Sequence, residues 1–153
     1  MNPTRCLALA LLALSPLLHG ELTEEYSENS TNESLTPTLK KWIWKRDGDI
    51  ILKREMENAH TSQTIYYKQR EIYSISTSRN GGTVEVYPAS MLELRIDSPD
   101  DASEKSIILL DMEKALIDCF TIQPDGIIVP VADDDLKIKR EMLKKAFSAL
   151  QKQ

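Results

Sequence analysis

Between Thr83 and Ile96 the chain reads TVEVYPASMLELRI, and its strict alternation restricts what this stretch can become. Side chains alternate faces along a strand. Val84, Val86, Leu92, Leu94 and Ile96 therefore separate from Thr83, Glu85, Tyr87, Met91, Glu93 and Arg95. Pairing Tyr87 with Met91 around a Pro88-Ala89-Ser90 turn keeps the two sets on opposite faces, and a slip of one residue would mix them. The stretch predicts a half-buried antiparallel hairpin in which Glu85 faces Glu93.

A second hairpin is expected upstream. Lys41–Arg54 reads KWIWKRDGDIILKR, two β-rich runs about Asp47-Gly48, a dipeptide that favours the two-residue hairpin turn. Simple register from that turn pairs Arg46 with Asp49, Trp44 with Ile51 and Trp42 with Lys53. One face then carries Trp42, Trp44, Arg46, Asp49, Ile51 and Lys53; the other carries Ile43, Lys45, Ile50 and Leu52. Asn58 to Ser62 reads as a polar turn. Thr64–Tyr67 and Glu71–Thr77 read as strand, either one bent strand or two short ones, before an Asn80-Gly81-Gly82 turn. Ile107–Leu110 is a continuous apolar run suited to a central strand. From Asp111 the period changes: Met112, Ala115, Leu116, Cys119 and Phe120 fall at helical spacing, which predicts a short helix with Asp111 as its N-cap. Ile127-Ile128-Val129 reads as a short turn-bounded apolar piece, and Pro130 favours an edge position or a strand end over a central one. Asp133 to Gln153 is the clearest helix, with three Asp at its start and an apolar stripe of Leu136, Met142, Leu143, Ala146, Phe147 and Leu150. The expected fold class is α+β: an antiparallel, hairpin-rich sheet, then a short helix, then a C-terminal amphipathic helix packing on one sheet face.

The ends of the chain add an address. Met1–Arg5 carries one positive charge, and Cys6–Leu18 is an apolar run shorter than the roughly 20 residues of a membrane span. A polar segment follows Gly20. This is the pattern of a secretory signal peptide over residues 1–20. Export to the periplasm or outside the cell is expected, with no membrane span once it is cleaved. Residues 21–38 are rich in Glu, Ser, Thr and Asn and poor in apolar groups, which predicts a disordered lead. Asn29-Ser30-Thr31 and Asn32-Glu33-Ser34 match the glycosylation sequon. Residues 39–153 read as a single domain. Removing residues 1–20 leaves 18 Lys and Arg against 24 Asp and Glu, a net charge of −6, which argues against nonspecific binding to nucleic acid or anionic lipid. It also leaves Cys119 as the one cysteine, so the core must hold without an internal disulfide.

The chemistry offered is sparse. His60 is the one histidine after residue 20 and lies in a polar loop, with no Ser-His-Asp pattern around it. Cys119 on an apolar stripe reads as a small hydrophobe. Asp133-Asp134-Asp135 are consecutive and cannot converge on one ion, and neither zinc nor EF-hand spacing is present. Gly81-Gly82 lacks the helix and Lys-Ser/Thr of a phosphate loop. No cofactor or metal is expected. Two surfaces remain. Trp42 and Trp44, with Arg46 and Lys53, form a cationic aromatic stripe able to stack on a sugar, a peptide or a partner protein. Glu85 and Glu93, about 5 Å apart at their roots in the expected register, could share acid and nucleophile work as in a retaining glycosidase. The leading expectation is an exported binding module without catalytic machinery. The alternatives are a small glycan-directed hydrolase using Glu85 and Glu93, or a structural, envelope-associated protein.

Overall fold

The computed structural model describes residues 21–29, 38–77, 83–86, 92–98 and 104–152, with the backbone alone at 83–86. The expected signal peptide and the turns at Asn80-Gly81-Gly82 and Pro88-Ala89-Ser90 lie outside them. The chain is mostly antiparallel sheet, in two sheets, with one helix at its C-terminal end among the described residues. The chain divides into two compact units, residues 1–88 and 89–153.

The first unit holds a six-stranded meander in which every strand pairs with its neighbour in sequence. Its strands are β1 (Leu22–Asn29), β2 (Leu39–Arg46), β3 (Asp49–Glu57), β4 (His60–Tyr67), β5 (Arg70–Thr77) and β6 (Thr83–Val86). Two-residue turns join β2 to β5. Asp47 and Gly48 both take positive φ, 54° and 79°, as the expected turn demands. Asn58 opens the next turn at φ 55°, and Lys68 and Gln69 make the third at φ 46° and 64°. Thr64–Tyr67 and Glu71–Thr77 are thus two strands of one hairpin.

Three expectations are corrected here. Residues 22–29, expected within a disordered lead, form β1, which pairs along all eight residues of β2. Composition undercounted what backbone pairing and cross-strand contacts such as Lys45–Glu25 (2.8 Å) and Tyr26–Trp42 supply. The β2–β3 register follows the turn only as far as Lys45–Ile50, then shifts: Trp44 faces Leu52, Ile43 faces Lys53 and Trp42 faces Arg54. Ile51 is the extra residue of a bulge. The phase of β3 therefore reverses, and Leu52 and Arg54, not Ile51 and Lys53, share a face with the two indoles. The same device recurs in β4–β5, where Ile72 is inserted between Glu71, opposite Tyr66, and Tyr73, opposite Ile65. Finally, the Thr83–Ile96 hairpin does not form. β6 pairs with β5, so that Glu85 faces Ile75, and the second half of the stretch joins the other sheet.

That second sheet has the order β10-β9-β8-β7, made of β7 (Glu93–Asp97), β8 (Lys105–Leu110), β9 (Leu116–Ile122) and β10 (Ile128–Pro130). β8 is central and carries buried residues on both faces, as its unbroken apolar run implies, while β10 lies at an edge, as Pro130 requires. The expected short helix from Asp111 is instead a loop and strand β9. Leu116, Ile117, Phe120, Thr121 and Ile122 are β-branched, aromatic or apolar, and a strand buried on both faces shows the same clustering as a helical stripe. Asp111 does organise the local chain, but as a turn: its Oδ1 accepts from the backbone N–H groups of Glu113 and Ala115, both at 2.9 Å. Lys114 closes the loop at φ 65°.

Helix α1 (Asp133–Leu150) begins with three Asp in its first turn. Leu136 is buried with Cys119 and Val131, bordered by Ile108 and Leu116. Arg140 donates to the carbonyls of Leu116 (3.1 Å) and Ile117 (2.6 Å). Beyond Arg140, no helical residue is buried.

Candidate functional site

The β1–β6 register builds one row straight across the first sheet: Tyr26, Trp42, Arg54, Gln63, Ile75 and the backbone position of Glu85. Beside it runs a second row of Glu24, Trp44, Leu52, Ile65 and Tyr73. The bulge at Ile51 is what brings Arg54 into the first row. Its guanidinium lies over both indoles, 5.4 Å from the Trp42 ring centre and 4.8 Å from that of Trp44, within cation–π range. Its Nε donates to Gln63 Oε1 at 3.1 Å. Arg54 is only 8% exposed, so the indoles and the amide take over the solvation that burial removes.

Trp44 and Arg46 are each 6% exposed, sealed at the inner part of this face. Trp42 is half-buried, and its ring meets Tyr26 at 5.1 Å between centres, tilted by 44°. Tyr26 is 42% exposed. Its hydroxyl donates to Glu28 (2.9 Å), and that bond, with the neighbouring negative charge, holds the phenol above its ordinary pKa. Of the four residues expected to bind, then, Trp42 reaches the surface beside Tyr26, while Trp44 and Arg46 do not. Lys53 stands on the opposite face with its ammonium over the Tyr66 ring at 5.1 Å. Sequence reasoning missed Tyr26, Arg54 and Gln63. The available signal was the triplet Ile50-Ile51-Leu52, three apolar residues in succession at a place where alternation had to break.

The two glutamates are not cross-strand partners. Glu93 pairs with Leu110 on β8. Its carboxylate accepts from Lys114 Nζ and from Arg95 Nε (2.5 Å), which hold its pKa below the usual range, in that order. A carboxyl so held is a base or a structural anion, not a proton donor at neutral pH. His60 is exposed at the start of β4, with Nδ1 3.4 Å from the Thr77 carbonyl oxygen. Cys119 is buried, and desolvation keeps its thiol above the usual pKa against the opposing charge of Lys139. Among the described residues no group of three or more His, Cys, Asp or Glu is placed to hold a metal ion, and no helix is long and apolar enough to cross a membrane. Comparison with protein-family models, curated proteins and solved structures found no match.

Proposed function

We propose that the chain is an exported binding module whose contact surface is the outer end of the aromatic row, Tyr26 and Trp42. The observation that carries this reading is the gradient along that face. Arg54, Trp44 and Gln63 form a buried backing, and the Tyr26 and Trp42 rings stand partly in water against it. Rigid aromatic groups on a fixed sheet lose little entropy on binding, which suits stacking on a sugar ring or on an apolar side chain of a peptide. The apolar leader at residues 6–18 supports export. The C-terminal helix belongs to the second unit in this reading, laid on its sheet by Leu136 and Arg140.

The test uses the two tryptophans singly. Trp44→Phe leaves Trp42 as the sole indole, and Trp42→Phe leaves Trp44. Acrylamide should quench the first variant several-fold more than the second. A panel of glycans and peptides should then give a saturable change in Trp42 emission that Tyr26→Ala removes without altering circular dichroism. A Trp42 as protected as Trp44, or no saturable ligand, would sink the reading.

A further inference from the structure

Helix α1 carries apolar residues on two sides, and of them only Leu136 is buried; Leu150, on the same side as Leu136, is 66% exposed. At 3.6 residues per turn, Leu136, Leu143, Phe147 and Leu150 share one side with Arg140, the side that meets β9 through Leu136 and Arg140. Ile138 and Met142 lie on nearly the opposite side and are 58% and 66% exposed, so Met142, expected in one stripe with Leu136, does not share its face. Single exposed apolar residues are ordinary. Here the two are one turn apart and, with Pro130, Val131, Ala132, Thr121, Asp135 and Lys139, line a groove of about 540 Å³. Asp135 stands one turn before Ile138 and Lys145 one turn after Met142, and all four fall within about 80° of helix arc.

The order along this stripe is acid, apolar, apolar, base. Such a sequence is self-complementary under a two-fold axis, because an antiparallel copy presents base, apolar, apolar, acid. The four positions also have the 3-4-3 spacing of a coiled-coil seam, whose antiparallel layers would place Ile138 against the partner's Met142 and Asp135 against the partner's Lys145. We propose that this face of α1 is the interface of a homodimer, with two helices paired antiparallel about an axis near Arg140. The charge order favours a second copy, because an antiparallel partner offers an opposite charge to both Asp135 and Lys145, whereas an anionic membrane would match Lys145 and repel Asp135.

The experiment is sedimentation equilibrium of the full chain over a range of concentrations. All four residues are exposed or at the surface, so their substitution should leave the fold intact, and circular dichroism checks this. Ile138→Glu should abolish the dimer. Asp135→Lys and Lys145→Asp should each weaken it by about tenfold, since each places two like-charged pairs in the interface. The double variant D135K/K145D should recover it, and an equimolar mixture of the two single variants should form heterodimers, in which both pairs are again opposite in sign. A chain that stays monomeric throughout, or a dimer indifferent to these four changes, would overturn the proposal. So would a monomer that binds anionic vesicles through Ile138.

Discussion

At the scale of single residues, the turns of the meander set a clear contrast. Gly48 adopts φ 79° without strain, and a Cβ there would meet nothing within 4 Å. The cost of Gly48→Ala is therefore conformational alone, about 1 kcal/mol. Gln69 sits at φ 64° in an equivalent turn and already bears that cost. Gln69→Gly should raise the unfolding free energy from urea titration by about 1 kcal/mol, and Gly48→Ala should lower it by a similar amount. If both variants destabilise, the side chain of Gln69 is making a contact worth more than its backbone strain. Residue identity also marks what could be read in advance. Asp47-Gly48 announced its turn through chemistry that few dipeptides share. Lys68-Gln69 announced nothing, because either residue is at home in a strand, and the surrounding ladder imposes the turn.

At the scale of elements, alternation was legible and partnership was not. Val84 to Val86 and Glu93 to Asp97 each have a strand's period, yet they join different sheets. The pattern states which way side chains point and is silent about which neighbour supplies the hydrogen bonds. β9 shows a second limit. Its apolar residues suit a helix stripe and a doubly buried strand equally, and pairing with β8 decides between them. α1 was legible because it is long and polarised, with acids where the helix dipole wants them. The β8–β9 loop can be tested directly. Asp111→Ala removes one acceptor from two backbone donors and should cost about 1–2 kcal/mol in chemical denaturation. Asp111→Asn keeps an oxygen acceptor and should cost less than half as much. Equal losses would mean that the charge of Asp111, and not its geometry, holds the loop.

For the whole molecule, the described fold consists of two units that each carry their own buried residues. Protection should therefore follow position within each sheet and not distance from the chain ends. Amide exchange should be slowest in β3, β4, β8 and β9, which are paired on both sides, and fastest in β1 and β10 at the edges. A β1 as protected as β3 would show that something covers its outer edge. The candidate site spans both extremes, from Trp44 and Arg54 on central, paired backbone to Tyr26 on the edge strand. This also explains why the site was only half legible. The two tryptophans are conspicuous in any sequence, but Arg54 acquires its role from a bulge, and Tyr26 from a segment too polar to be suspected of folding.

The unbroken meander has a consequence for time. Because β1 to β6 pair only with sequence neighbours, none of these pairings waits for a distant part of the chain to arrive. Loop-closure entropy is small at each step, and low contact order is associated with fast folding. Each hairpin can add to the one before it as the chain emerges, so the first sheet can close strand by strand. A mixed or Greek-key arrangement of the same strands would have to wait for the last one.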